Sequence, residues 1–191
     1  MGADQEHFCL AIVVLVHCNQ AIRGTRHGRE DTRNTFSRNA QRHIYYAERK
    51  ILKALPKLAK AASSPDLKAA FEKHRMETEV QIERLQQVFE LIGKRAQGKT
   101  CDAIEGIIAE GEEIMDDFKG QPALDAGLAS AAQAVEHYEM ARYGTLARWA
   151  GELGLKDAKA LLVETLNEEE ATDKALSTLA EGSLNPAAMA A

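Results

Sequence analysis

Cysteine is scarce in this chain. Cys9, Cys18 and Cys101 are odd in number and form no Cys-x-x-Cys pair, which argues against a disulfide framework or a thiolate zinc site and suits a reducing compartment. Proline (4 residues) and aromatics (5%) are also few, whereas Ala, Leu, Glu and Lys abound, so strand-rich folds are disfavoured and helix is expected nearly throughout. No apolar run approaches the about 20 residues of a bilayer span. The strongest run, residues 8–16, is too short for one, and the acidic residues 1–7 before it are not the basic start of a signal peptide. A cytoplasmic protein is expected. The net charge is −5 with basic and acidic residues interspersed, so no basic face is available for nucleic acid. At 191 residues and 45% hydrophobic, the chain can bury one sizeable core, and a single all-α domain is the expectation.

Helical periodicity and punctuation place helices at about 44–62, 65–91, 101–118, 122–150 and 156–180. Ser64 with Pro65, Thr100, and Gly120 with Pro122 mark helix starts and turns. The fifth helix carries Leu161, Leu162, Thr165, Leu166, Thr172, Leu176 and Leu179 at helical spacing, and should cover the bundle or a partner. Residues 182–191 read as a flexible tail. Residues 1–43 read differently from the rest: 19–42 are rich in Arg, Asn, Thr and Gly and show no apolar face at any period. Read one base later, the codons of residues 35–43 permit Leu-Phe-Leu-Glu-Thr-Leu-Lys-Asp, an amphipathic start leading into Ile44. We therefore expect 1–43 to be a poorly ordered segment, translated out of frame or a natural tail, ahead of a helical bundle over 44–181.

Glu48, Glu77, Glu105 and Glu136 sit one on each of four consecutive helices. At about 1.5 Å per residue, Glu48 lies roughly 21 Å before its helix end and Glu77 roughly 18 Å after its helix start, so the first hairpin brings them level. Glu105 and Glu136, at roughly 20 and 21 Å from their shared turn, are levelled by the second. A simple antiparallel turn between second and third helices would leave Glu77 and Glu105 about 15 Å out of level. A stretched link over 92–100 reaches at most about 30 Å and could instead start a parallel third helix. The expected fold is a ferritin-like four-helix bundle with a crossover between helices 2 and 3, plus a fifth C-terminal helix.

Inward carboxylates on several helices are the means by which a bundle builds a dinuclear metal site. Glu48 shares a face with Leu52 and Leu55; it either turns inward or pairs with Lys50 or Lys53 at the edge. His74, Glu77 and Gln81 interrupt an apolar stripe on the second helix, where His74 is a ligand or a satisfied core histidine. Glu136 and Glu139 stand one turn apart on the fourth, with Arg142 a possible ion-pair partner of Glu139 and His137 turned aside. Glu168, Glu169 and Glu170 read as a solvated charge run. The candidate ligands are thus Glu48, His74, Glu77, Glu105, Glu136 and Glu139. Their oxygen-rich character favours a di-iron or di-manganese centre over a soft metal.

Five motifs in order carry a family resemblance: Tyr46-Ala47-Glu48; His74-x-x-Glu77-Thr78-x-x-Gln81; Cys101-x-Ala103-Ile104-Glu105-Gly106; Val135-Glu136-His137-Tyr138-Glu139 with Tyr143-Gly144-Thr145-Leu146; and Glu164-Thr165-Leu166-x-Glu168-Glu169 before Thr172-Asp173. Over residues 44–181 the chain resembles the YciE/YciF family of bacterial ferritin-like stress proteins. The resemblance implies a cytoplasmic, homodimeric bundle tied to general or oxidative stress and sometimes labelled a ferroxidase. Metal-dependent oxidoreductase chemistry and a non-catalytic structural role are both open on these residues.

Overall fold

The computed structural model describes residues 41–190. Helices α1 (Gln41–Ala61), α2 (Pro65–Leu91), α3 (Asp102–Asp117), α4 (Leu124–Glu152) and α5 (Lys156–Leu179) are followed by a π-helical turn (Ala180–Leu184) and the short α6 (Asn185–Met189). No strand occurs among the described residues.

Local chemistry fixes the ends of these helices. Ser64 caps α2, its hydroxyl accepting from the Leu67 amide at 3.3 Å, and Pro65 fills the first helical position, where no N–H is needed. The Asp125 carboxylate at the start of α4 accepts from the amides of Ser63 (2.8 Å) and Ser64 (2.7 Å), tying the α1–α2 turn to α4. Gly93, Gly120 and Gly154 follow α2, α3 and α4 with φ of 66°, 73° and 75°, the left-handed conformation that ends a helix at least cost when no Cβ is present.

Cross-helix pairs give the directions. Three-residue turns make α1–α2 and α4–α5 antiparallel hairpins. Arg84 meets Glu164 and Glu168 while His74 meets Glu169, so α2 and α5 are antiparallel. Tyr143 meets Glu48 and Asp125 meets Ser63, so α4 and α1 are antiparallel too. A closed ring α1–α2–α5–α4 results, with α2 and α4 running the same way. This is the ferritin-like arrangement.

The crossover follows the second helix as expected, but α3 lies inside it. Glu105 pairs with Lys50 and Glu112 with Lys57, so α3 runs alongside α1 in the same direction and hence antiparallel to α2, correcting the expectation of parallel second and third helices. The link over 92–101 stays at one end of the bundle, held where the Lys99 amide donates to the Arg42 carbonyl (2.9 Å) and Arg42 Nε to the Gln97 carbonyl (3.3 Å). It is α3 itself that carries the chain to the other end. The fifth helix, expected as a cover, is a full member of the ring.

Two boundaries move. Gln41, Arg42 and His43, assigned from sequence to the poorly ordered segment, are the first turn of α1, and Gln41 is buried. Residues 182–189, read as a tail, are helical, with Leu184 buried. The expectation for residues 1–40 lies outside the described residues. Apolar layers close the bundle at both ends: Ile44, Leu85, Phe89 and Leu146 on one side of the middle, Leu55, Leu67, Phe71, Leu128 and Leu176 on the other. Between them the core is polar.

Candidate metal centre

Each ring helix interrupts its apolar stripe with acceptors at the same height. On α1 Glu48 lies between Ile44 and Ile51; on α2 His74, Thr78 and Gln81 lie between Phe71 and Leu85; on α4 Glu136 and Glu139 lie between Ala132 and Tyr143; on α5 Thr165, Glu169 and Thr172 lie between Leu162 and Leu176. His74, Glu136, Glu139 and Glu169, all buried, each offer a ligand atom, and these atoms lie within 4.8 Å of one another. His74 faces carboxylates through both nitrogens, with Nε2 3.2 Å from Glu136 Oε1 and Nδ1 4.0 Å from Glu169 Oε2. Glu48 joins through Oε1, which accepts from the Tyr143 hydroxyl.

No buried Lys or Arg offsets these acids among the described residues. Burial pushes Glu48 up to about 7, against the Tyr143 hydrogen bond, and Glu136 up to about 8. Glu139 and Glu169 are raised well above the ordinary carboxylate range, first by burial and then by the charge of Glu48. Burial, with Lys73 nearby, lowers His74 to about 4, which keeps the imidazole neutral and its lone pair available. Both oxygens of Glu139 and of Glu169, both nitrogens of His74, and Oε2 of Glu48 and Glu136 have no hydrogen-bond partner. Buried acceptors in such a group are expensive unless protons are shared among them or a cation meets them. Oxygen and imidazole donors without sulfur fit a hard or borderline dication such as iron or manganese.

Of the ligands expected from sequence, Glu48, His74, Glu136 and Glu139 come together. Glu77 stands at the rim: its side chain is 24% exposed, Oε1 lies 2.5 Å from Lys73 Nζ, Oε2 is buried without a partner, and its charge reaches Glu136. Glu105 does not reach the cluster. It sits near the height of Glu48 but in the outer groove between α1 and α3, 39% exposed, 2.7 Å from Lys50 Nζ and accepting from the Tyr46 hydroxyl. Because α3 packs outside the ring, a residue facing α1 from α3 faces its outer side. Arg142 lies over the Tyr138 ring, 5.1 Å from its centroid, so the edge pairing with Glu139 is not found. His137 points outward beside Asp173.

Glu169 was missed by sequence reasoning, which grouped it with Glu168 and Glu170 as solvated. The signal was available: Leu162, Thr165, Glu169, Thr172 and Leu176 form one unbroken heptad stripe. Glu168, one residue away, faces the rim, where Arg84 clamps it at 2.5 and 2.7 Å and Gln81 Nε2 donates to it at 3.2 Å.

Residues 31–189 match the family described as a domain of unknown function (DUF892). Over 142 residues, 74% of this chain and 86% of its relative, the chain is 46% identical to Protein YciF of Escherichia coli K12. The chain is a YciF-family protein. The solved structure of the E. coli stress protein YciF superposes with a TM-score of 0.74 at 42% identity, covering 82% of this chain and 97% of that one. YcfI of Rhodopseudomonas palustris, 47% identical, superposes with a TM-score of 0.71 over 73% of this chain and 88% of that one. A Xanthomonas campestris protein, 20% identical with a TM-score of 0.59, shares the fold. The match beginning at residue 31 extends ahead of the described residues.

Proposed function

We propose that this YciF-family member is a stress-response protein whose bundle holds a dinuclear iron or manganese centre. The carrying observation is the set of buried side-chain atoms from four helices, Oε2 of Glu48, both nitrogens of His74, Oε2 of Glu136 and both oxygens of Glu139 and Glu169, that have no hydrogen-bond partner. Glu48, His74, Glu77, Glu136, Glu139 and Glu169 would hold the ions, with carboxylate charge offsetting that of the cations. When bound, iron or manganese supplies redox chemistry toward dioxygen or peroxide, the ferroxidase-like reading. The chain's own part is positional. Tyr143 holds a proton against Glu48, the apolar layers exclude water, and Arg84 keeps Glu168 at the rim so that α5 presents Glu169 alone.

Elemental analysis of protein purified without chelator, followed by aerobic Fe(II) titration, tests this. Two equivalents bound with ferric absorbance growing in is the expected result; no metal uptake refutes it. A second reading has a specific observation in its favour: the raised carboxyl groups lie in neighbouring pairs, Glu48 with Glu139 and Glu136 with Glu169, which can share protons as a neutral structural core. The R. palustris relative is itself described as a candidate structural protein. That reading predicts a thermal midpoint indifferent to chelator, whereas a ligand of the native state alone must raise it. We also propose a cytoplasmic homodimer, with a mass of two chains expected in light scattering. No described helix is long and apolar enough to cross a membrane.

A further inference from the structure

A cavity of about 40 Å³ opens between α1, α3 and α4 and runs inward to the acceptor cluster. At its mouth Lys57 Nζ and Glu112 Oε1 pair at 2.7 Å, so the entrance offers little net charge to draw in an ion. Between mouth and inner end its walls are apolar, Phe71 and Met115 among them, and Ala54, Ala70, Gly111 and Ala132 stand where larger residues would fill the space. At the inner end lie His74, Glu136 and Thr172, each at least nine-tenths buried and each with a side-chain atom lacking a partner.

We propose that this cavity is a binding site and entry path for dioxygen, a small apolar gas, leading to the acceptor cluster. The inference deepens the metal reading and rests on it for its functional meaning. A hydrated dication entering here would shed water among side chains that offer no ligand, and hydrogen peroxide would give up its hydrogen bonds along the same walls; both are costly. A diatomic gas gives up nothing. The size agrees: about 40 Å³ takes a few water-sized bodies, well short of the roughly 150 Å³ in which an engineered apolar cavity holds benzene. The role of α3 follows. It contributes no residue to the cluster, yet it supplies one wall of the path to it.

Xenon is the probe. Crystals of metal-free protein pressurised with xenon should show it between α1 and α3, and an empty cavity would overturn the proposal. Gly111→Leu should abolish that site without disturbing the cluster: a Cβ at position 111 meets only Ala131 Cβ, at 3.5 Å, and leucine is a better helix former than glycine. Ala54→Leu fills the same space from α1 should the first variant fold poorly. In the iron-loaded protein both variants should keep the wild-type metal content and lose rapid oxidation by dissolved oxygen while retaining oxidation by added peroxide. Equal rates with oxygen in wild type and variants would refute the entry path. Xenon bound in a chain that takes up no iron would support the gas site while removing the metal reading, so the two fail separately.

Discussion

Raising the pH should destabilise the metal-free protein, against the usual trend for buried carboxylates that are paired. Glu136, ordinarily near 4.5, is held at about 8 in the fold, and Glu48 at about 7. A folded-state pKa above the unfolded one means that the fold holds a proton the unfolded chain has released. Its contribution is therefore complete below 4.5 and is lost as pH climbs to the folded value. His74 has the opposite sign: lowered from 6.5 to about 4, it destabilises as pH falls through that interval. The two effects oppose each other up to 6.5; above it His74 is neutral in both states and only the carboxyl groups act. Between pH 6.5 and 8, one proton held by Glu136 corresponds to about 2 kcal/mol at about 1.4 kcal/mol per pH unit. For a chain of this size that is a fall of about 4–8 °C in midpoint, with Glu139 and Glu169 adding to it. Calorimetry of chelator-treated protein at the two pH values measures the slope, and Glu136→Gln should flatten it. Saturating Mn(II) should reverse it, because bound ligands must be deprotonated. A midpoint that is level or higher at pH 8 without metal would refute the reasoning.

Glu169→Ala should lower metal content in elemental analysis, whereas Glu105→Ala, on the outer groove, should leave it unchanged; equal losses would mean that the cluster has been wrongly drawn. Glycine substitutions should split by environment. Gly144→Ala meets nothing within 4 Å and should stabilise by about 0.5–1 kcal/mol, whereas a Cβ at Gly127 would sit 2.7 Å from Ile114 Cγ2 and should offset that gain or reverse it, as urea midpoints would report. Arg84→Ala leaves Glu168 without its clamp between α2 and α5 and should cost about 1.5–3 kcal/mol in urea unfolding; a loss under a few tenths would show the pair to be ornamental.

Helix spans and the inner stripes of α1, α2 and α4 were legible in the sequence because a buried face must repeat at helical spacing. Glu48, His74, Glu136 and Glu139 followed from those stripes. The third helix defeated the same reasoning. Spacing told where Glu105 stood along the axis and that its neighbours Ile104, Ile107 and Ile108 needed cover, but both grooves beside α1 offer apolar surface, and height alone cannot distinguish them. Glu169 was lost to the opposite error, in which local charge density outweighed a heptad that Thr165 and Thr172 mark in polar rather than apolar residues. The added turn at Gln41–His43 carries no apolar period of its own; its place depends on contacts with residues 97–99.

The ring is made of two hairpins, and the acceptors divide between them. The α1–α2 hairpin holds Glu48, His74 and Glu77; α4–α5 holds Glu136, Glu139 and Glu169. Each hairpin closes through a three-residue turn, so its contacts are near in sequence and form early. Bringing the hairpins together is the step that crowds the carboxylates, and it is the step at which a bound cation would act. If a cation is held there, its supply would govern how long the assembled halves stay shut more than how fast either half forms, and the lifetime of the protein would read the availability of that ion.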